Sequence, residues 1–349
     1  LGFSIKDMAV KTGEIRKLLL EELEKSNYSK LAVLCDINTR INCYPIIEDI
    51  LPDHVLITVP AGEKYKNLDS CAMIWEALTK NEMDRKSLMI NLGGGVIGDM
   101  GGFCAAAYKR GISFMNVPTT LLSMVDASVG GKLGIDFLGF KNQIGLFSDA
   151  QSILIDPIFL NTLAFDELRS GFAEILKHGL IKERAYWDKV KNLAVSPEEL
   201  ATVIAQSIAI KSEIVEADPK EKGLRKILNF GHTIGHAIET YYLSSSNPFL
   251  HGEAIALGML AETQLSSELC GLSKDDAKQI RDGIRKIFPE LEINKSDIAK
   301  ITRLTLQDKK NEDGRVLMSL LSAIGNCQYD VEVTKEKIKA ALKDCLYYN

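Results

Sequence analysis

Six mostly apolar residues, Ser87-Leu88-Met89-Ile90-Asn91-Leu92, run straight into Gly93-Gly94-Gly95-Val96-Ile97-Gly98-Asp99-Met100-Gly101-Gly102. A run this short and unbroken, stopped by glycines, reads as a strand buried on both faces, which is the habit of parallel sheets. Comparable runs occur at 30–36, 55–59, 114–117 and 152–156, separated by helical stretches. That alternation predicts an α/β fold in which helices cover both faces of a parallel sheet. The glycines stand at a strand-to-helix junction, with the helical stretch expected over 103–109.

Beyond about residue 160 the β-branched runs fade, and apolar residues recur at helical spacing over 166–181, 197–217, 235–242, 253–269 and 275–287. Pro197 followed by Glu198 and Glu199 is a good helix start, because proline suits the first turn and acids suit its positive end. The apolar run 316–324 fits a strand or a buried helix equally. A length of 349 residues suggests two domains at about 150 residues each. The expected division is 1–160, an α/β domain, and 161–349, a mostly α-helical domain.

Forty-two basic against forty-seven acidic residues give a net charge of −5, which disfavours nucleic acid or an anionic membrane surface as partner. No apolar run reaches the roughly 18 residues of a membrane span, and residues 1–7 lack the pattern of a signal peptide. Seven cysteines (35, 43, 71, 104, 270, 327 and 345) are scattered without a CxxC pair. Free thiols in a reducing cytoplasm are therefore expected, rather than disulfides or a thiolate zinc site.

Gly93, Gly95 and Gly98 satisfy G-x-G-x-x-G, where missing Cβ atoms let backbone N–H groups approach a pyrophosphate. Glycine-rich turns also serve tight packing, and the ribose-binding acid usual about 20 residues downstream is missing. Asp36, with Asn38 beside it, is the better candidate acid, although it ends an earlier strand. The turn Gly130-Gly131-Lys132 can offer backbone donors and an ammonium to an anion, but it lacks the spacing of an ATP-binding loop.

His232 and His236 stand one turn apart on a helix, and His251 follows after a polar loop. Glu174 lies in Gly171-Phe172-Ala173-Glu174-Ile175-Leu176-Lys177, a helical stretch otherwise apolar on that side. Two imidazoles, one carboxylate and an open position make the ligand set of a catalytic zinc ion. A satisfied core histidine is the plainer reading of any one of these residues; their clustering favours a metal. Spacing alone leaves open which two histidines bind it. His54 and His178 have no such company and read as surface or packing residues. Lys177, Lys211, Arg225, Lys309 and Lys310 flank the same motifs and suggest a small anionic substrate.

Taken in order, the strings GGGVIGD, PTTLLSMVDASVGGK, KN, GFAEILK, GLRKILNFGHTIGHAIE, HGEA and DKKN resemble the 3-dehydroquinate synthase family of sugar-phosphate cyclases, over positions 36–311. The resemblance implies conversion of 3-deoxy-D-arabino-heptulosonate 7-phosphate to 3-dehydroquinate and phosphate, in the shikimate route to aromatic amino acids. It implies catalytic NAD, one divalent metal (zinc or cobalt) and a homodimer. Carried over, the metal ligands are Glu174, His232 and His251. NAD contacts fall on Asp36, Asn38, Glu63, Lys66, Gly94, Gly95, Asp99, Thr119, Thr120, Lys132, Lys141, Phe159 and Thr162. Substrate contacts fall on Asp126, Lys132, Asn142, Lys177, Lys211, Arg225, Asn229, His236 and one of Lys309 or Lys310. Arg110 corresponds to an arginine that reaches the phosphate of the neighbouring subunit's substrate. The chain departs from the family at Ala127 (usually serine), at Leu133 (usually threonine) and at Asp166, where a positive charge is common.

Three rival readings follow from the same residues. One is a cyclase acting on a sugar phosphate without the carboxylate, such as 2-epi-5-epi-valiolone or 2-deoxy-scyllo-inosose synthase. Another is a metal-dependent polyol dehydrogenase, and the third a non-enzymatic nucleotide- or metal-binding module.

Overall fold

The structure is a computed structural model that describes residues 9–138, 140–243, 245, 247–289, 291–306 and 316–344. The chain forms two compact units, Leu1–Ala164 and Phe165–Asn349.

In the first unit strand and helix alternate: β1 (Ala9–Thr12), α1 (Ile15–Lys25), β2 (Leu31–Asp36), α2 (Ile37–Asn42), β3 (Val55–Val59), α3 (Leu68–Lys80), β4 (Leu88–Gly93), α4 (Gly95–Ala107) and β5 (Ser113–Pro118). A hairpin of β6 (Lys132–Phe137) and β7 (Phe140–Phe147) precedes β8 (Ser152–Ile155). Six strands pair in parallel in the order β1-β8-β5-β4-β2-β3. β4 is buried at every residue, as its unbroken apolar run requires.

This order reverses between β2 and β4. From β2 the chain steps outward to β3; from β4 it builds the other way through β5 and β8. Loops leaving neighbouring strands diverge at such a reversal and open a crevice at the carboxyl ends, where doubly wound sheets bind ligands. Cys35 of β2 is in register with Leu92 of β4, so Asp36 and Gly93 end adjacent strands. The acid that stands far upstream of the glycine turn in sequence is thus its neighbour in space.

Helix α4 begins at Gly95, eight residues before the start expected from propensity. Glycine is a poor helix former, but close packing overrides that preference here. A Cβ on Gly101 would lie 2.2 Å from Asn91 Oδ1, and one on Gly102 would lie 2.5 Å from Leu133 Cδ2. The helix ends as Lys109 and Arg110 take positive φ angles of 50° and 69°.

The second unit holds α5 (Phe165–Lys182), α6 (Arg184–Val190), α7 (Pro197–Ala217), α8 (His232–Tyr242), α9 (His251–Leu269), α10 (Lys274–Ile287), α11 (Ile298–Thr305), β9 (Val316–Ala323), β10 (Asn326–Val333) and α12 (Lys335–Asp344). It is mostly helical. The undecided run 316–324 is strand β9, because the polar segment after it folds back as an antiparallel partner. Ser196 caps α7 by accepting the Glu199 N–H at 3.3 Å, with Pro197 in the first turn. Helix α9 packs against α5, α8, α10 and α12, and both α5 and α9 are buried along most of their length. Among the described residues, no helix is long and apolar enough to cross a membrane.

Candidate active site

In the first unit, the residues expected to meet a nucleotide follow the carboxyl ends of strands. Asp36 closes β2 and caps α2, accepting the Thr39 N–H at 2.8 Å; Asn38 is exposed on that helix. Gly94 caps α4 without a side-chain partner, and a Cβ there would lie 2.9 Å from Thr120 Cγ2. Thr119, after β5, donates its N–H to the Gly93 carbonyl at 3.0 Å. Phe159 and Thr162 belong to the short helical turn Pro157–Thr162 after β8, and Thr162 Oγ1 lies 3.5 Å from Cys43 Sγ at the end of α2. The glycine turn, the α2 start and these threonines form one edge, suited to a pyrophosphate and a ribose.

Beside that edge lies a charged cluster. Lys66, 3% exposed, donates to Asp99 Oδ2 at 2.5 Å and to Asn142 Oδ1 at 2.7 Å. Burial pulls the Lys66 ammonium down, but Asp99 and Glu63 outweigh it and raise its pKa. Lys141 pairs with Glu63 at 3.5 Å. Asn142, at φ +49°, is anchored by its N–H to Asp136 Oδ1 at 2.8 Å. Lys132 is exposed at the start of β6, Arg110 is exposed after α4, and Asp126 lies in a π-helical turn, Ser123–Ala127. Two departures pack against glycines of α4: Ala127 against Gly95, and Leu133 over Gly102.

In the second unit, three helices bring together Glu174 (α5), His232 (α8) and His251 (α9), whose nearest ligand atoms all lie within 4.8 Å. His232 Nε2 is 3.6 Å and His251 Nε2 is 3.8 Å from the same oxygen, Glu174 Oε1. The other carboxylate oxygen contacts the buried ammonium of Lys177. His232 Nδ1 lies 3.2 Å from the Phe230 carbonyl, which can only accept, so Nδ1 carries the proton and Nε2 the lone pair. His251 Nδ1 faces Glu239 Oε2 at 3.6 Å, within ion-pair range.

Glu174 is fully buried, and neither of its oxygens accepts a hydrogen bond of ordinary geometry. Taking a carboxylate out of water costs several kcal/mol unless a cation compensates it. Burial alone would push its pKa up, but Lys177, His232 and His251 hold it well below the usual range. Burial, reinforced by Lys177, holds His232 well below its ordinary value, and therefore neutral. His251 is pushed up to about 9, because Glu174 and Glu239 outweigh its burial. Two imidazoles and one ionised carboxylate oxygen converging on one point fit a divalent cation of the zinc type, which would displace the proton His251 carries at that value. His236, exposed on α8, forms a second possible group with Glu239 and His251, so geometry alone offers His251 to either.

Close backbone contacts fix the three helices. Gly252 donates its N–H to Ser170 Oγ at 2.9 Å, and a Cβ on it would lie 1.9 Å from the Ser170 carbonyl oxygen. Glu253 accepts from Arg169 at 2.6 Å and from the Leu250 N–H at 2.9 Å, holding the start of α9 on α5. Asp166 pairs with the same Arg169 at 3.2 Å, so its unusual negative charge is compensated locally.

Lys177, Lys211 and Arg225 are each no more than 5% exposed. They lie on α5, α7 and the short turn Leu224–Asn229, which pack on one another. Buried cations in such number suit an anionic ligand. Asp218 organises that loop, accepting N–H groups from Lys222, Gly223 and Arg225 at 3.0, 2.7 and 3.1 Å. Asn229 donates to Glu221 Oε1 at 2.8 Å. Lys309 and Lys310 lie outside the described residues.

Residues 56–170 match the family model described as 3-dehydroquinate synthase N-terminal, and residues 171–311 the one described as 3-dehydroquinate synthase C-terminal. A 3-dehydroquinate synthase of Parabacteroides distasonis is 42% identical over 334 residues, spanning 94% of this chain and 95% of the relative. This chain belongs to the 3-dehydroquinate synthase family. Among solved structures, 2-epi-5-epi-valiolone synthase from Streptomyces hygroscopicus subsp. jinggangensis, with NAD+ and Zn2+ bound, superposes with TM-score 0.85 at 24% identity, over 99% of this chain and 98% of that one. A 2-deoxy-scyllo-inosose synthase complexed with carbaglucose-6-phosphate, NAD+ and Co2+ gives TM-score 0.82 at 24% identity, over 96% of both chains. At that identity the likeness speaks for the fold.

Several supporting residues of this family member carried no sequence signal. Ser170, Arg169 and Glu262 act through contacts between distant segments, and no spacing rule marks them, whereas Asp218 acts within its own loop. Glu239 and Glu253 stood inside recognised strings without an assigned part. His178 is fully buried and bonds Ser207 Oγ at 2.6 Å, and His54 bonds the Tyr44 hydroxyl at 2.8 Å.

Proposed function

We propose that the protein is a 3-dehydroquinate synthase, converting 3-deoxy-D-arabino-heptulosonate 7-phosphate to 3-dehydroquinate and phosphate in aromatic amino acid biosynthesis. In this reading residues 1–160 take NAD at the glycine turn, with Asp36 toward the ribose. Residues 161–349 hold one divalent cation, zinc or cobalt, on Glu174, His232 and His251. The observation that carries it is the convergence of those three side chains within 4.8 Å, inside the segment that matches the family.

When bound, NAD and the cation supply reversible hydride acceptance and a positive charge beside the hydroxyl being oxidised. The chain's residues then bind, orient and move protons. Lys177 neutralises the second oxygen of Glu174, leaving the trio's open side attractive to an anion. Lys211, Arg225, Asn229 and one of Lys309 or Lys310 would hold the carboxylate and phosphate ends, Arg225 as a planar fork and the lysines as point charges. His236 would hold a proton at the leaving phosphate, one turn beyond His232. Asp126, Lys132 and Asn142 would orient the substrate beside the nucleotide. The family resemblance also supports a homodimer, with Arg110 reaching the partner's substrate. The scattered free cysteines support a cytoplasmic location.

A phosphate-release assay on the heptulosonate phosphate, with and without NAD and a chelator, tests the reading. Activity that needs both NAD and metal, with no net NADH, is the expected result. Release from sedoheptulose 7-phosphate alone would favour another cyclase, and accumulating NADH would favour a dehydrogenase.

A further inference from the structure

We infer that Glu262, on α9, is a positioning residue for the cation site: it fixes the first turn of α8, which carries His232, against the helix that carries His251. The inference rests on the reading of Glu174, His232 and His251 as cation ligands. Helix α8 starts at His232, and its cap is Gly231, at φ +82°, which has no side chain to accept the first N–H groups. Those groups lack partners within any helix, and here Gly231, Thr233 and Ile234 are buried. Glu262 supplies the acceptor from a distant helix. Its Oε2 takes the Gly231 N–H at 2.5 Å and its Oε1 the Ile234 N–H at 3.2 Å. Glu262 is fully buried, and two accepting oxygens are the pattern of an ionised carboxylate.

Helix α9 is shaped for this contact. A Cβ on Gly258, one turn before Glu262, would lie 2.0 Å from the Gly231 carbonyl oxygen, and one on Gly231 would lie 2.5 Å from Met259 Cγ. The start of α8 therefore rests on the α9 backbone itself. Electrostatics adds a second consequence. A ligand in the first position of a helix asks a divalent cation to sit at the helix's positive end, which repels it. A carboxylate bonded to the same amides offsets that field. Glu262 thus sets both where His232 stands and the potential its ligand nitrogen experiences.

The test is cobalt(II) binding to metal-free protein, wild type against Glu262→Gln, followed by visible absorbance and by competition with a chromophoric chelator. The amide keeps the size and one acceptor oxygen but removes the charge. The expected result is a folded variant that binds cobalt at least about tenfold more weakly, with a shifted visible spectrum, the scale found for groups behind metal ligands. Cobalt affinity within about twofold of wild type and an unchanged spectrum would overturn the inference. Wild type that takes up no cobalt would overturn the reading of the trio and this inference with it. Should Glu262→Gln fail to fold, hydrogen exchange of wild type decides: by linkage, cobalt must slow exchange at the Gly231 and Ile234 amides. Unchanged exchange there would contradict the inference.

Discussion

In the first unit, the groups suited to a nucleotide follow the carboxyl ends of β2, β4, β5 and β8, so they hang from loops and short turns. In the second, the three candidate cation ligands sit on helices α5, α8 and α9, held backbone to backbone at Gly252 and Gly258. The first region rests on missing Cβ atoms at a half-buried glycine turn, and a loop can yield a few tenths of an ångström. The second rests on three side chains meeting at one point, and buried helices cannot shift independently. Damage to the second region should therefore be the more severe.

The largest effect is expected at the ligands. His251→Ala should lose the metal and lower kcat/KM by more than about 100-fold, since two remaining ligands hold zinc poorly. His236→Ala should keep most of its metal and still lose rate. Metal analysis of both purified variants checks this, and the reverse pattern would exchange their parts.

Next comes the helix contact. Gly252→Ala would drive a Cβ to within 1.9 Å of the Ser170 carbonyl oxygen, a backbone atom that cannot swing aside. We expect a loss of about 3 kcal/mol, read as a fall of roughly 6–12 °C in Tm, with reduced metal content. Gly94→Ala is the matching change in the first unit. There the Cβ meets Thr120 Cγ2 at 2.9 Å, the end of a side chain. A cost of about 1 kcal/mol and an NAD Kd raised roughly tenfold are expected, with metal content unchanged. Equal losses of stability in the two variants would erase this contrast between the two units.

The smallest effect concerns pH. Burial pushes the Asp218 carboxyl up, but the Gly223, Lys222 and Arg225 amides outweigh it and hold it below its ordinary value. A carboxyl with a lowered folded pKa contributes stability above its unfolded pKa and loses it as pH falls through the folded one. Asp218→Asn should therefore cost about 1 kcal/mol at neutral pH, and the difference should vanish in acid. Urea midpoints from pH 7 downward, below about pH 4, measure it; a gap that persists in acid would assign the effect to shape alone.

What could be read beforehand follows the same contrast. The strand 87–92 and its glycine turn are contiguous, so local pattern announced them, and the helix 197–217 announced itself through its proline and acids. The start of α4 was hidden because glycine's helix propensity opposes the packing that demands it. β10 was hidden because it is polar and is ordered by β9. At the cation site, sequence offered the histidines but not the choice among them, because that choice depends on which nitrogens face Glu174, a residue far upstream. Glu262 and Ser170 gave no signal, since their parts exist only between packed helices.

The central claim is that one cation sits among Glu174, His232 and His251. Anomalous diffraction at the zinc edge from zinc-loaded crystals tests it most directly. A single peak about 2.0–2.2 Å from a Glu174 oxygen and from Nε2 of both His232 and His251 is the predicted result. A peak instead among His236, Glu239 and Nδ1 of His251, with Glu174 unligated, would contradict it.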